Sequence, residues 1–212
     1  PQLGSTPAMA NQQVIPTKLL LSVGLVCFHL LGDLINPCGG LHSPAAGVHL
    51  SRETEREALL QFKGGLRDPT SRLSSWVPGI DCCRWSGVGC DNRTGHVVEL
   101  DLRNPHPPND LDMYKRWRLG GEIGPSLLEL KHLSYLDLSM NHFGGRPIPQ
   151  FVGSLVQLRY LNLSHADLGG TIPHHLGNLS KLQTLDLGGN EFVGHIPSAI
   201  GTMSSLKVLR MS

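Results

Sequence analysis

Three cysteines lie close together in the stretch DCCRWSGVGCDNRTGHVVELDL, which begins at Asp81. Thiolates pair into disulfides and also bind zinc, so either chemistry is open to them. A zinc site would use Cys82, Cys83, Cys90 and His96. Adjacent cysteines rarely both bind one ion, and a pair separated by two to four residues is missing, which favours a disulfide. A bridge between Cys83 and Cys90 would close a loop of about eight residues and stabilise the fold by about 2.5 kcal/mol.

Three asparagines stand in the N-x-S/T pattern that accepts N-linked glycans in secreted proteins. They are Asn92, Asn162 and Asn178. Asn92 and Asn178 fall on predicted turns or on a predicted helical side, where a glycan is tolerated. Asn162 falls on a predicted strand, where a glycan would obstruct a binding surface.

No arrangement of residues typical of a catalytic site occurs in the sequence. The eleven histidines are scattered and none has H-E-x-x-H or nucleophile spacing. No glycine loop is followed by the lysine of a phosphate-binding site. The formal net charge of +1 gives no electrostatic basis for binding nucleic acid. We therefore predict a protein that is not an enzyme and that uses no cofactor, no metal and no nucleic acid.

The elements that position these residues come from a repeat. The segments LSYLDLSMNHFGGRPIP, LRYLNLSHADLGGTIP and LQTLDLGGNEFVGHIP begin at Leu133, Leu158 and Leu182, and a shorter LKVLRMS begins at Leu206. These starts are 24 or 25 residues apart. A fixed period of this length is typical of solenoids, in which each unit depends on its neighbours to bury its apolar face.

An earlier copy of the repeat is imperfect. VVELDLRN begins at Val97, and the second half, LGGEIGPSLLEL, resumes only at Leu119. The insertion at 105–118 is rich in proline and charge, so we predict a solvated loop there. The repeats as a whole are predicted at 97–212, about four copies and a truncated fifth.

The residue types within one repeat predict its path. The alternation in LxxLxL predicts a strand with one buried face. Asn141 and Asn190 are predicted to bond the backbone at the following bend, whereas Ala166 leaves a gap in that series. Leu176 and Leu179 return on a short helical turn. The predicted fold is an α/β repeat solenoid, a right-handed leucine-rich-repeat coil with a parallel β-sheet on its concave face.

The N-terminal part divides into a leader and a cap. Lys18 precedes an apolar run of 13 residues, Leu19 to Leu31, which is short for a membrane span and typical of a secretory signal. A buried core helix is the alternative, although it has no amphipathic partner nearby. We assign residues 1–46 to upstream residues and a signal peptide, which predicts secretion to the extracellular face of the plasma membrane.

A helical cap is predicted at 47–96. Ala58, Leu59, Phe62 and Leu66 recur at helical spacing and would cover the apolar face of the first coil, beside the disulfide.

The outward strand positions form the predicted concave, solvated binding face. Tyr135 and Tyr160 are one coil apart and are predicted to stack. Equivalent positions in the first copy are Glu99 and Asp101. The alternative is that these positions are polar only because they are solvated. The predicted ligand-binding residues are Tyr135, Asp137, Ser139, Tyr160, Asn162, Ser164, Thr184, Asp186 and Arg210.

Several of these motifs together resemble a known family. EREALLQFK, LSSW, DCCRWSGVGCDNRTGHVVELDL and the LxGxIP repeats, from Glu53 to Ser212, resemble plant leucine-rich-repeat proteins. They are most similar to the receptor-like proteins that have an ectodomain and no kinase. The resemblance implies an extracellular receptor in defence signalling, with a protein or peptide ligand on the concave face. It also implies leucine-rich-repeat receptor kinases as co-receptors, and membrane attachment only through a C-terminal helix absent from this chain.

Two departures from the family pattern lead to further expectations. Members usually carry a cysteine just before the ER-ALL-FK helix, where this chain reads GVHLSRETER. Cys82 is therefore expected to pair with Cys38 or to remain unpaired. The chain ends at Ser212 partway through a coil, which indicates an N-terminal fragment. The alternatives are a soluble inhibitor of the polygalacturonase-inhibitor type and a non-functional truncated gene product.

Overall fold

The structure is a computed structural model that describes residues 46–106 and 108–211. Except for residue 46, the predicted leader lies outside the described residues, and so does Cys38. Within the described ranges, no helix combines the length and the hydropathy needed to cross a membrane.

Short strands alternate with short helices along the described chain. The α-helices are α1 (Ala46–Gly65), α2 (Leu111–Arg116) and α3 (Ser198–Gly201). Four 3-10 helices span Cys82–Arg84, Pro125–Glu129, Gln150–Ser154 and His174–Asn178. The strands are β1 (Leu66–Arg67), β2 (Val88–Cys90), β3 (Val97–Asp101), β4 (Gly120–Gly121), β5 (Tyr135–Asp137), β6 (Tyr160–Asn162), β7 (Gly169–Thr171), β8 (Thr184–Asp186), β9 (Glu191–Val193) and β10 (Val208–Arg210).

The main sheet has six strands in the order β2-β3-β5-β6-β8-β10. The strands β3 to β10 are parallel and β2 adds to β3 antiparallel. One leucine from each repeat lies in the same register, in the row Leu100, Leu136, Leu161, Leu185 and Leu209. The first four are fully buried in a single core, which confirms the predicted parallel solenoid.

The chain returns from each strand of the sheet through a bend and a helical turn. Pro149, Pro173 and Pro197 each stand directly before one of these turns, where a fixed φ suits the start of a helix. Two smaller sheets flank the returns, formed by β7 with β9 and by β1 with β4. The short helical turns predicted for the second half of each repeat are confirmed.

Side-chain amides tie the bends of neighbouring coils together. The Nδ2 of Asn141 donates to the carbonyl oxygen of Leu102 in the preceding coil at 2.9 Å. The Nδ2 of Asn190 donates to the carbonyl oxygen of Leu163 at 2.7 Å. Ala166 is buried at the equivalent position and offers no amide, so the series has the predicted gap.

The capping helix α1 buries Ala58, Leu59 and Phe62 in the core. The prediction that Leu66 belongs to this helix is wrong. Leu66 begins β1 and pairs with Gly121 of β4, because the chain turns after the Gly64–Gly65 pair to meet the first coil.

The insertion at 105–118 is not only a loop. It contains α2, whose first turn is capped by Asp110, the Oδ1 of which accepts a hydrogen bond from the backbone N–H of Met113 at 3.1 Å. The Nδ2 of Asn104 donates to the carbonyl oxygen of Tyr114 at 2.8 Å and ties α2 to the coil. No side chain of α2 is buried, so the predicted solvation holds while the predicted irregular backbone is wrong.

Candidate functional site

The nine predicted ligand-binding residues lie on or directly after four neighbouring strands. Register places their side chains in rows that run across the sheet. One row reads Glu99, Tyr135, Tyr160, Thr184 and Val208, and the next reads Asp101, Asp137, Asn162, Asp186 and Arg210. We call the side of the sheet formed by these two rows the outer sheet face. The structure brings all of the predicted strands together on this face.

Two tyrosines form the aromatic centre of the outer sheet face. The rings of Tyr135 and Tyr160 are 4.3 Å apart between centroids and 3° from parallel, so they stack as predicted. Both are half-buried. Burial, with the nearby charge of Asp137, raises the pKa of both hydroxyls above their ordinary value.

Asp137 is not solvated, contrary to the prediction for this face. Its residue surface is 1% exposed, because the side chains of Tyr160 and Asn162 cover it. The Tyr160 hydroxyl lies 3.4 Å from its Oδ2, and the Asn162 Nδ2 donates to that oxygen at 3.1 Å. The backbone N–H and hydroxyl of Ser139 donate to its Oδ1 at 2.9 and 2.6 Å. Asp137 therefore holds Tyr160 and Asn162 in place from beneath, and its own carboxylate is covered in this structure.

Ser139 and Ser164 are likewise buried, at 3% and 9% exposure, although they were predicted to contact ligand. Each serine folds back onto the polar side chain two residues before it. The N–H and hydroxyl of Ser164 donate to the Oδ1 of Asn162 at 3.0 and 2.8 Å. These local hydrogen bonds close the ends of the strands.

The far end of the outer sheet face carries a cation. Arg210 is exposed, and its Nη1 lies 3.5 Å from the Oδ2 of Asp186. Thr184 is half-buried and shorter than Tyr160, its neighbour in the row. Of the nine predicted residues, six are therefore half-buried or exposed and within reach of a ligand: Tyr135, Tyr160, Asn162, Thr184, Asp186 and Arg210.

A cleft at the near end of the face was missed by the sequence analysis. It measures about 490 Å³ and lies where β2 joins β3. Gly89 of β2 is in register with Glu99 of β3, so no side chain fills the space beside the glutamate. The glycines of SGVGC were the available sign, but only the antiparallel addition of β2 places them against the repeat. The lining residues include Arg72, Gly87, Gly89, Glu99, Asp101 and Arg103.

The cysteines form one disulfide and leave one thiol among the described residues. Cys83 and Cys90 are bonded, with their Cα atoms 5.5 Å apart. The disulfide engages two of the four residues that a zinc site would need. The Cys82 thiol is buried and unbonded, although its candidate partner Cys38 lies outside the described residues. Burial raises the pKa of Cys82 to about 11, and the charges of Asp81 and Glu55 add to the effect.

The three sequon asparagines differ in what their amides contact. Asn92 is exposed in a turn, and Asn178 is exposed at the end of a 3-10 helix. The Nδ2 of Asn162 instead donates to Asp137 at 3.1 Å and to the Tyr160 hydroxyl at 3.2 Å.

The cap, the stacked coils and the outer sheet face together define a class of protein. A capped repeat solenoid with one open, polar and aromatic sheet face is a recognition scaffold. Comparison with known proteins agrees. A family described as "Leucine rich repeat N-terminal domain" matches residues 52–91, and one described as "Leucine-rich repeat region" matches residues 118–212. The chain belongs to the plant leucine-rich-repeat proteins of the receptor-like type.

Individual relatives point the same way. Receptor-like protein EIX2 of Solanum lycopersicum is 46% identical over 146 residues, which are 69% of this chain and 14% of that protein. This chain thus spans a small part of the length of that relative. Among solved structures, a chain of the BIR3–SERK2 complex of Arabidopsis thaliana is 34% identical with a TM-score of 0.63, covering 73% of this chain and 78% of that one. The Arabidopsis HAESA ectodomain in complex with an IDA peptide hormone ligand is 32% identical, with a TM-score of 0.54. The match covers 76% of this chain and 29% of the HAESA chain.

Proposed function

We propose that this chain is the ligand-recognition region of a plant cell-surface receptor-like protein in defence signalling. It lies outside the cell and acts by binding rather than by catalysis. The observation that carries the proposal is the outer sheet face, where Tyr135 and Tyr160 stack over a buried Asp137 and leave ring surface open. The resemblance to receptor-like protein EIX2 supports the assignment to a receptor.

The proposed partners are a protein or peptide ligand on the outer sheet face and a leucine-rich-repeat receptor kinase as co-receptor. A peptide hormone is bound to the HAESA ectodomain, and BIR3 is found in a complex with SERK2. Both structures share this fold, which supports the same modes of association here.

The experiment uses the full chain, secreted from plant cells and presented to a displayed library of random peptides. Two variants are compared with the unaltered chain. Thr184→Arg places a long side chain on the outer sheet face, and Ser154→Arg places the same side chain on the exposed helical side. We expect enriched peptides to lose binding to Thr184→Arg and to keep binding to Ser154→Arg. Enriched peptides that bind both variants equally, or no enrichment at all, would overturn the proposal.

A further inference from the structure

We propose that the outer sheet face selects ligands that carry an arginine or lysine side chain, which stacks on Tyr135 beside the carboxylate of Glu99. This inference rests on the proposed function, because it names the ligand chemistry that the same face would bind.

The open aromatic surface is on the near side of the tyrosine pair. β5 lies between β3 and β6 in the sheet, so Tyr160 of β6 covers the face of Tyr135 that is turned toward it. The opposite face of Tyr135 is turned toward β3, where Glu99 is its neighbour in register. The π-face of a tyrosine carries partial negative charge and attracts ammonium and guanidinium groups.

The Glu99 carboxylate lies toward β2, on the side of β3 away from Tyr135, and we call the space between this carboxylate and the Tyr135 ring the gap. A Cβ on Gly89 would lie 3.2 Å from the Oε2 of Glu99, so the carboxylate lies above that glycine on β2. Two interstrand spacings of about 4.8 Å separate β2 from β5. A guanidinium can stack about 4 Å above the Tyr135 ring and at the same time donate a hydrogen bond of about 2.8 Å to the Glu99 carboxylate. These two contacts together fit within the two interstrand spacings.

The charges around the gap leave an excess of negative charge for a ligand. Arg103 lies 3.4 Å from Asp101 and is matched by it. The guanidinium of Arg72 also lines the cleft, where it donates to carbonyl and amide oxygens of the coils rather than to Glu99. Within the described chain the Glu99 carboxylate has no hydrogen bond or ion pair, and Asp137 is held by neutral donors alone. A cationic side chain is therefore the ligand that complements the Glu99 carboxylate.

The test uses a pair of fluorescein-labelled hexapeptides that differ only in charge. One contains two arginines, and the other contains citrulline, which keeps the shape and loses the charge. Binding to the full chain is measured by fluorescence anisotropy. We expect the arginine peptide to bind about tenfold more tightly, the sum of a cation–π contact and an exposed ion pair.

Substitutions assign that preference to the two residues. Glu99→Gln and Tyr135→Leu should each reduce it by about threefold, whereas Tyr135→Phe keeps the ring and should preserve it. Glu129→Gln removes an exposed carboxylate on the helical side and is the matched control. Circular dichroism checks the fold, and Glu99→Gln, at an exposed position, tests the inference if Tyr135→Leu fails to fold.

Equal affinity for the two peptides, no binding of either, or an equal effect of Glu129→Gln would overturn the inference. The random library separates this failure from failure of the proposed function. If enriched peptides require an unblocked Thr184 but lack arginine and lysine, the cationic preference is wrong and the binding face stands. If they ignore Thr184→Arg, the binding face itself is wrong.

Discussion

Asn162 shows how a single side chain decides between two uses of one motif. The sequon marks it for a glycan, but its Nδ2 donates to Asp137 and to the Tyr160 hydroxyl. A glycan on that nitrogen would leave it one N–H for two acceptors and would cover the tyrosine pair. Loss of a hydrogen bond to a charged acceptor costs about 1.5–3 kcal/mol.

We therefore expect glycans on Asn92 and Asn178 and an unmodified Asn162. The measurement is mass spectrometry of the secreted chain after enzymatic deglycosylation in ¹⁸O-water, which labels each former glycan site. Full occupancy of Asn162 would contradict both this prediction and binding through the centre of the outer sheet face.

Cys82 is a second residue whose burial has a measurable consequence. Its pKa in the folded chain is about 11, above the ordinary value of 9.0, so the neutral thiol is favoured by folding. Its contribution to stability is complete below about pH 9 and is lost as pH rises toward 11, since the unfolded thiol ionises first. Urea denaturation measures the free energy of unfolding at pH 8 and at pH 10.5. Between these two pH values the unaltered chain should lose more of this free energy than the Cys82→Ala variant.

The same thiol should resist iodoacetamide at pH 7.5 until the chain is unfolded, because the thiolate is the reactive form. Absence of any free thiol in the unreduced, unfolded secreted chain would contradict the prediction and indicate a disulfide to Cys38.

At the scale of elements, neighbouring coils stack so closely that two of three equivalent glycines have no room for a Cβ atom. Gly153, Gly177 and Gly201 each lie near the end of a helical turn, 24 residues apart. A Cβ on Gly153 would overlap the carbonyl oxygen of His175 in the next coil, and one on Gly177 would overlap the Cβ of Ala199. A Cβ on Gly201 meets nothing within 4 Å.

Gly153→Ala should therefore lower the free energy of unfolding by about 1–3 kcal/mol, as overpacking against backbone does. Gly201→Ala is the matched control and should range from no change to a gain of about 1 kcal/mol. Urea denaturation of the two variants measures both. Equal effects at the two positions would show that the coils are not packed as closely as the structure indicates.

Arg72 joins four elements at one guanidinium. Its Nη1 donates to the carbonyl oxygen of Trp117 at 2.9 Å and to the Oδ1 of Asn141 at 3.1 Å. Its Nη2 donates to the carbonyl oxygen of Leu102 at 3.0 Å. The cap, the insertion and the first two coils are thereby linked. Burial lowers the pKa of Arg72, against the opposing charges of Asp68 and Asp101.

Arg72→Ala should lower the free energy of unfolding by about 3 kcal/mol, because several hydrogen bonds from a charged donor are lost, including the one to the carbonyl oxygen of Trp117. Hydrogen exchange in α2 should also become faster, since the insertion loses its contact with the cap. Arg84→Ala, at an exposed arginine, should change neither quantity. A stability loss confined to the cap, with exchange in α2 unaltered, would show that Arg72 does not hold the insertion.

At the scale of the whole molecule, the coils share one core. The protection of a coil's amides from hydrogen exchange depends on whether another coil packs on each side of it. Leu185 is fully buried between two coils, whereas Leu209 in the same row is 44% exposed. Among the described strands, β10 pairs with β8 alone. Amides of 208–210 should therefore exchange at least about a hundredfold faster than those of 184–186, as measured by mass spectrometry. Equal protection of the two segments would contradict this account of the core.

The repeat was predictable because its information is local. Alternating leucines and a period of 24 or 25 residues specify strands, register and a common core without any knowledge of distant contacts. The spacing of Tyr135 and Tyr160 likewise predicted their stack. The helical boundary at Leu66 and the helix α2 were missed, because pairing with β4 and contact with Asn104 decided them.

The sequence by itself determined the solenoid, the cap and the set of residues that face outward from the strands. Tertiary structure alone decided that Asp137, Ser139 and Ser164 are covered, that Glu99 has no ion pair with any described residue, and that Gly89 leaves a cleft beside it. The physical reason is that a period reports the direction of a side chain. Burial and charge pairing depend on which side chains the neighbouring coil and β2 place beside it.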